Sequence, residues 1–294
     1  MKAPLDRGAL AREITGLANG NASTVSDRPI TSRARRIAIT GSPGAGKSTL
    51  SGHLARLRAK DRRYGILAID PSSPKSGGAI LGDRIRIDEL DGTTDLYVRS
   101  LGSRSSNDGL SDNLPAILDT MDRHGFDEVL LETVGVGQAD YAVHALVDTV
   151  VLVLHPESGD VIQAMKAGIM EMADLFVINK SDLPAADKSA SDIKRILSIS
   201  HRKAGAWVPP VLNTSAKQPD SIALLSEAID AHAAWRAASE PPTERMRAMQ
   251  RYVLRRALER RLHATIDRLP DHLHESALDD QQAWVIANLD ASVD

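Results

Sequence analysis

Short apolar runs alternate with stretches of helical periodicity through the middle of the chain. The runs are mostly β-branched residues or leucine bounded by polar residues, as is typical of strands buried on both faces of a parallel sheet. They cover residues 37–39, 66–69, 129–131, 150–154, 175–178 and 208–212. The helical stretches between them cover residues 48–60, 111–124, 160–171 and 187–200. This alternation predicts an α/β fold: a doubly wound, mainly parallel sheet that binds ligands at the carboxyl ends of its strands.

Two flanking segments depart from this rhythm. Residues 6–17 have helical spacing and precede a Gly-, Asn-, Ser- and Thr-rich stretch, 19–33, which predicts a linker. After a break at residues 239–243, apolar residues recur at steps of three to five up to Pro270, and a second helical stretch runs to about Leu289. We therefore expect an N-terminal helical extension with a linker (1–33), the α/β domain (34–238) and a C-terminal helical arm (239–294).

The helical arm carries an approximate apolar stripe. Because these helices follow a completed α/β domain, we expect the stripe to form a dimerisation seam rather than a core. Its residues are Met246, Met249, Val253, Leu258, Leu262, Ile266 and Leu269.

The strongest motif lies between the first apolar run and the first helix of the α/β domain. Residues 41–48 read Gly-x4-Gly-Lys-Ser, the complete Walker A pattern, in the strand-to-helix context that it requires. Glycines there let backbone N–H groups approach phosphate oxygens, and the helix N-terminus adds partial positive charge. Lys47 is expected to reach the β- and γ-phosphates, and Ser48 to ligate Mg²⁺. The predicted nucleotide-binding residues of this loop are Gly44, Ala45, Gly46, Lys47, Ser48 and Thr49.

Two later loops predict which base is bound. Asn179-Lys180-Ser181-Asp182 follows the run at 175–178, and an aspartate there accepts two hydrogen bonds from the adjacent N–H donors of guanine, which adenine lacks. Ser215-Ala216-Lys217 follows the next run and resembles the GTPase loop whose backbone contacts the guanine oxygen. The predicted base-recognition residues are Asn179, Lys180, Asp182, Ser215, Ala216 and Lys217.

Three carboxylates are candidates for the phosphate end of the site. Asp70 ends the second run, Asp83 closes the stretch "DPSSPKSGGAILGD", and Glu132 ends the strand "EVLLE". Because Mg²⁺ usually holds only one or two protein carboxylates, not all three need to bind it directly. Gly135 and Gly137 flank a stretch able to rearrange around a γ-phosphate. Gln138 is either the residue that orients an attacking water or a polar loop residue.

Composition narrows the classes of function. The chain has 294 residues and a formal net charge of -3, which argues against a protein that tracks nucleic acid. It contains no cysteine, which excludes disulfides, thiolate metal sites and a cysteine nucleophile. The first residues contain no long apolar run, and no stretch approaches the roughly 18–20 apolar residues needed to cross a bilayer. We expect a soluble cytoplasmic protein without nucleic-acid or membrane partners.

Several of these strings together resemble one family. "GSPGAGKST", "DPSSPKSGGAILGD", "ETVGVGQ", "SGDVIQAMKAGIME" and "NKSD" are similar to those of the MeaB/ArgK GTPases, a branch of the SIMIBI class of P-loop proteins. The resemblance covers residues 35–238. It implies a homodimeric, Mg²⁺-dependent GTPase that chaperones an adenosylcobalamin-dependent acyl-CoA mutase, gating cofactor loading and protecting or rescuing the mutase with GTP. The cobalamin motif Asp-x-His-x-x-Gly is absent from the chain, so adenosylcobalamin would be held by the partner.

The resemblance also implies roles for individual residues. Metal binding falls to Ser48, Asp70, Asp83 and Glu132, and the candidate catalytic residues are Lys47, Asp70, Glu132 and Gln138. Gly135 and Gly137 belong to a switch. Residues 157–166 are similar to a mobile loop that couples the nucleotide state to the mutase, with candidate residues Glu157, Ser158, Gly159, Asp160, Gln163 and Lys166.

Two departures from the family leave the mutase open. The chain has His155-Pro156-Glu157-Ser158-Gly159-Asp160 where many relatives have Pro-Gly-x-Gly-Asp, and it has the polar stretch "SLGSRSSNDGLSDN" in another region that could face a partner. A mutase for a branched or hydroxylated acyl-CoA therefore stands beside methylmalonyl-CoA mutase as a candidate.

Two other functions stay open. A metal-delivery GTPase of the same P-loop class normally needs Cys or His clusters, which this sequence lacks. A nucleotide-dependent kinase or transport ATPase would prefer ATP, whereas the loop at Asn179 predicts GTP. Since no arginine is visibly placed as a finger within the chain, we expect slow intrinsic hydrolysis and activation by the partner.

Overall fold

The computed structural model describes residues 3–19, 30–71, 95–103, 113–133, 143–157, 169–199, 205–239 and 241–289. The chain divides into two compact units, Met1–Ser239 and Glu240–Asp294. The elements of the first unit, in chain order, are α1 (Arg7–Ala18), β1 (Arg35–Gly41), α2 (Lys47–Arg58), β2 (Tyr64–Pro71), β3 (Leu96–Ser103), α3 (Leu114–Arg123), β4 (Glu128–Glu132), β5 (Thr149–Leu154), β6 (Leu175–Ile178), α4 (Ala186–Ile199), β7 (Val211–Asn213) and α5 (Pro219–Ser239).

The seven strands form one sheet in the order β3-β2-β4-β1-β5-β6-β7, and every neighbouring pair is parallel. Strands β4, β5 and β6 are buried along their whole length. The predicted α/β class with a mainly parallel sheet is therefore confirmed. Because all seven strands point the same way, the loops that follow β1, β4, β6 and β7 meet at one edge of the sheet.

The strand predictions were wrong at the two edges of the sheet, β3 and β7. Strand β3 was not predicted, because Arg99 and Ser100 interrupt its apolar run. Residues 100–103, which the sequence places in a polar stretch, belong to this strand. Strand β7 begins at Val211, three residues later than predicted, and Val208 is exposed. An edge strand is covered by only one neighbour, which weakens the apolar signal. Of the helix predicted at 160–171, only a 3₁₀ turn at Ile169–Glu171 falls within the described residues.

Helices α2 and α5 cover one face of the sheet. Leu50 and Leu54 of α2 and Leu225 of α5 are buried in one apolar cluster with Ile37 and Ile39 of β1. This packing fixes α2 directly behind the loop that follows β1. The position of the Walker A loop therefore depends on the burial of the apolar face of α2. Burial of apolar surface is the main favourable contribution to the free energy of folding.

The N-terminal helix belongs to the same compact unit as the sheet. Helix α1 begins where the Asp6 carboxylate accepts a hydrogen bond from the Ala9 backbone N–H at 2.9 Å, a typical N-cap. Its buried side chains Leu10, Ile14 and Leu17 face inward, and the helix packs against α3.

The second unit contains α6 (Pro242–Ile266) and α7 (Leu278–Ala287), which contact each other. Four residues of the predicted apolar stripe, Met246, Leu258, Leu262 and Ile266, are 40 to 47% exposed. Their role as a dimer seam stays a prediction. Within the described part of the chain, no helix is both long and apolar enough to span a membrane.

Candidate functional site

Three glycines of the Walker A loop have a left-handed backbone, and two of them also leave no room for a side chain. Gly41 and Gly46 have φ values of 144° and 89°, in the left-handed region that other residues rarely adopt. A Cβ atom at Gly41 would lie 1.9 Å from the Val153 carbonyl oxygen, and one at Gly46 would lie 2.5 Å from Asn179 Nδ2. The glycines of the motif thus let the loop pack closely against β5 and against the base-recognition loop after β6.

Two side chains from the start of α2 face the phosphate end of the site. The Lys47 ammonium donates hydrogen bonds to the carbonyl oxygens of Gly41 at 2.8 Å and Ser42 at 3.1 Å. The Ser48 hydroxyl donates to Glu132 Oε1 at 2.5 Å, which joins α2 to the carboxyl end of β4. Ser48 and Glu132 are thus in direct contact beside Lys47, and the phosphate and metal roles of these three residues stay predictions.

Asn179 and Lys180 connect the base-recognition loop to the Walker A loop. The Asn179 amide donates to the Ala45 carbonyl oxygen at 2.8 Å, and the Lys180 ammonium donates to the Gly44 carbonyl oxygen at 2.9 Å. Lys180 is the only described non-glycine residue with a positive φ, at 57°. The structure shows these two residues fixing one loop against the other, and their predicted role in base recognition stays a prediction.

Asp182 is held by the loop that follows β7. Its Oδ1 accepts a hydrogen bond from the Ser215 hydroxyl at 2.9 Å, and its Oδ2 accepts one from the Lys217 ammonium at 2.6 Å. The Lys217 ammonium, and after it the Ser215 hydroxyl, hold the pKa of the Asp182 carboxyl below its ordinary value. A carboxylate that stays ionised, with each oxygen able to accept a further bond, suits the two adjacent N–H donors of guanine.

Two residues of this region were missed by sequence reasoning. The buried Thr214 hydroxyl donates to Asn179 Oδ1 at 3.0 Å, which fixes the orientation of the amide. The Ser221 hydroxyl accepts from the Ser215 backbone N–H at 3.1 Å and donates to the Gln218 carbonyl oxygen at 2.6 Å. A signal for Thr214 was available, since it comes directly between the strand β7 and Ser215.

The remaining predicted residues divide into two groups. Thr49 lies in the first turn of α2, Ala216 lies between Ser215 and Lys217, Asp70 lies in β2, and Glu157 is exposed. The others lie outside the described residues: Asp83, Gly135, Gly137, Gln138, Ser158, Gly159, Asp160, Gln163 and Lys166. The functional roles of both groups stay predictions. Within the described ranges, no group of three or more His, Asp or Glu side chains is placed to hold a metal ion.

Comparison with known proteins gives concordant matches. The profile of the family described as methylmalonyl-CoA mutase-associated GTPase MeaB matches residues 21–270. A "Putative GTPase" of Pyrococcus horikoshii is 38% identical over 234 residues, which are 77% of this chain and 74% of that protein. The "Methylmalonic aciduria type A homolog, mitochondrial" of Mus musculus is 38% identical over 191 residues, 64% of this chain and 46% of that protein.

A solved structure shares the fold. The crystal structure titled "LAO/AO transport system kinase" superposes with a TM-score of 0.60 and covers 99% of this chain and 95% of that chain, at 24% sequence identity.

Proposed function

Because the chain belongs to the family of methylmalonyl-CoA mutase-associated GTPases and is itself a GTPase, we propose that it acts as a Mg²⁺-dependent chaperone of an adenosylcobalamin-dependent acyl-CoA mutase. It gates adenosylcobalamin loading and protects or reactivates the mutase, and the cobalamin is held by the partner. The observation that carries this proposal is the family match over residues 21–270. The mouse relative, named as a methylmalonic aciduria type A homolog, supports the same partner class.

Guanine recognition is supported by Asp182. Its two carboxylate oxygens are positioned by Ser215 and Lys217. Asn179 and Thr214 hold the loop that carries Asp182 against the Walker A loop. In this proposal GTP binds with its base at Asp182 and its phosphates at the N-terminus of α2, where backbone N–H groups and Lys47 bind the phosphate oxygens.

The residues at the mouth of the Walker A loop fit a magnesium ion. Mg²⁺ prefers oxygen ligands, and the Ser48 hydroxyl and Glu132 carboxylate bring two such oxygens within 2.5 Å of each other. Ser48 and Glu132, together with Asp70 and Asp83, would hold the ion. When bound, the ion supplies positive charge that neutralises the phosphate oxygens. Gln138 is the candidate to orient the attacking water.

Two segments of the chain are proposed as partner surfaces. Residues 157–166 are the segment proposed to couple the nucleotide state to the mutase. The exposed leucines of α6, Leu254, Leu258 and Leu262, support a homodimer formed through the C-terminal helices, because a monomer would leave them in water. We propose a cytoplasmic location.

The test is hydrolysis of GTP and ATP, each measured with and without an adenosylcobalamin-dependent acyl-CoA mutase of the same organism. We expect strong preference for GTP, slow hydrolysis by the chain alone, and acceleration of at least tenfold by the mutase. The mutase alone is the control for background hydrolysis. Equal use of ATP would favour the kinase or transport-ATPase alternative. A GTP rate unchanged by the mutase, without co-elution in any nucleotide state, would overturn the chaperone proposal.

A further inference from the structure

A cluster of charged side chains lies at the end of the sheet opposite the nucleotide site. We call it the basal ion cluster, and its members are Arg35, Arg58, Arg62, Glu128 and Asp230. The Arg58 guanidinium donates to both Glu128 oxygens, from Nε at 2.6 Å and from Nη2 at 2.7 Å. These two side chains are only 1% and 2% exposed. A bidentate pair buried to this degree has a fixed geometry.

Strand β4 carries a glutamate at each end, and both contact α2. Side chains alternate along a strand, so Glu128, Leu130 and Glu132 share one face. Leu130 is buried in the same apolar cluster as Leu50 and Leu54 of α2. Glu132 accepts from Ser48 at the first turn of α2, and Glu128 accepts from Arg58 at its last residue.

The lengths of the two elements agree with this double contact. Four residues of strand separate Glu128 from Glu132, which is about 13 Å at a rise near 3.3 Å per residue. Ten residues of helix separate Ser48 from Arg58, which is about 15 Å at a rise of 1.5 Å per residue. Apolar packing alone is non-directional and permits small sliding movements. The bidentate hydrogen bonds between Arg58 and Glu128, by contrast, fix the position of β4 along the axis of α2.

We infer that Arg58 and Glu128 are positioning residues for Glu132. Their bidentate pair sets the position of β4 along α2, and thereby holds the Glu132 carboxylate at the Ser48 hydroxyl. Arg35 strengthens the arrangement because it contacts Glu128 and lies at the start of β1, the strand that leads into the Walker A loop. This inference rests on the metal role proposed above for Ser48 and Glu132.

The test uses the full-length chain with Arg58→Lys. A lysine keeps the positive charge but has no planar fork, so it cannot hold both Glu128 oxygens in the same way. The matched control is Arg56→Lys on the same helix, where the arginine is exposed. Two quantities are measured: kcat for GTP hydrolysis, and the affinity for a non-hydrolysable GTP analogue in Mg²⁺ and in EDTA.

For Arg58→Lys we expect kcat to fall about tenfold and the gain in affinity caused by Mg²⁺ to shrink about tenfold, the lower end of the range for groups that orient metal ligands. The affinity in EDTA should change less than twofold, because the Walker A and base loops are untouched. Arg56→Lys should behave as wild type. A folded Arg58→Lys with wild-type kcat and wild-type Mg²⁺ dependence would overturn the inference. An equal loss of affinity with and without Mg²⁺ would also overturn it, since that indicates general damage.

Two further variants keep the test decisive. If Arg58→Lys does not fold, the double variant Arg58→Met with Glu128→Leu removes both buried charges at similar volume, a replacement that is often neutral for stability. It should show the same selective loss of Mg²⁺ dependence. Glu132→Gln separates this inference from the site assignment. If Glu132→Gln abolishes Mg²⁺ dependence while disruption of the Arg58 pair has no effect, the inference alone is wrong. If neither has an effect, the metal role of Glu132 fails too.

Discussion

The base end and the phosphate end of the site are held in different ways. At the base end, Asp182 and Asn179 make side-chain hydrogen bonds to Ser215, Lys217 and Thr214. At the phosphate end, Lys47 donates to carbonyl oxygens of its own loop, and Ser48 donates to Glu132. The base end is thus assembled from contacts that can persist when guanine binds. At the phosphate end, the proposed function requires Lys47 and Ser48 to exchange their present partners for phosphate or metal.

This difference indicates where nucleotide binding changes the protein. A preorganised group gives affinity without a cost of ordering it, which suits selection of the base. Side chains whose partners change on binding can instead report whether phosphate and metal are present. We therefore expect variants at the phosphate end to change hydrolysis, and variants at the base end to change which nucleotide binds.

The largest effect is expected for Lys47→Ala. The ammonium is the charged group of the Walker A loop, and loss of one group that stabilises transition-state charge costs about 100- to 1,000-fold in kcat. Steady-state GTP hydrolysis measures this loss, and Lys60→Ala, at an exposed lysine just after α2, is the control. The ratio of GTP to ATP affinity should remain that of the wild type. A loss of guanine selectivity together with activity would mean that the two ends are not separable.

Asp182→Asn should change which base is bound without changing the rate of hydrolysis. The variant replaces one acceptor oxygen by an N–H donor that faces the guanine amino group. Because hydrogen bonds to charged groups are roughly twice as strong as neutral ones, GTP affinity should fall about 100-fold. Xanthosine triphosphate, which has a carbonyl oxygen in place of that amino group, should bind well.

Competition binding and the hydrolysis of both nucleotides check this prediction. At saturation, the variant should hydrolyse xanthosine triphosphate within about threefold of the wild-type rate with GTP, because the phosphate end is unchanged. Asp192→Asn, on the outside of α4, is the control for loss of a surface carboxylate. A variant that binds neither nucleotide would contradict the assignment of Asp182 to the base.

Thr214→Val tests the preorganisation itself, since Thr214 is not one of the residues predicted to contact the base. Valine keeps the volume but removes the hydroxyl that donates to Asn179 Oδ1. An unsatisfied buried acceptor costs about 1–3 kcal/mol of stability, and we expect GDP affinity to fall about fivefold as well. Thermal unfolding and GDP titration measure the two effects. Thr214→Ser retains the hydroxyl and should restore both; if serine behaves like valine, the hydrogen bond is not the cause.

Thr214 also illustrates how far the sequence leads. The α/β class, the Walker A loop and the two base loops follow from apolar runs and from motifs at strand ends, because strand ends of a parallel sheet converge. The contact between Thr214 and Asn179 joins residues 35 positions apart. It depends on how β6 and β7 pair, which periodicity does not specify.

The same limit applies to the far end of the sheet. In the sequence, Glu128 and Arg58 are ordinary charged residues at the start of β4 and the end of α2, and no motif connects them. Their pairing appears only when β4 lies beside β1 with Glu128 opposite Arg35. Strand β3 was missed for a related reason, since an edge strand that includes Arg99 lacks the continuous apolar run of the central strands.

The smallest effect is expected for Lys217→Gln. The Lys217 side chain is 78% exposed, and exposed ion pairs contribute little, so GDP affinity at neutral pH should fall at most about fivefold. Loss of the ammonium raises the pKa of Asp182 toward its ordinary value, because Lys217 is the main cause of its depression. The ionised carboxylate then persists to a lower pH in the wild type than in the variant.

Titration of GDP binding from pH 7 down to the acid limit of folding should therefore show the variant losing affinity first, with wild-type affinity lost only as the pH falls further. Lys188→Gln, at an exposed lysine on α4, controls for the change in net charge. The difference should shrink in high salt, which screens an exposed pair. Identical pH profiles for wild type and Lys217→Gln would show that the base end is organised by the hydroxyl of Ser215 rather than by charge. Electrostatic interactions would then distinguish only the phosphate end of the site.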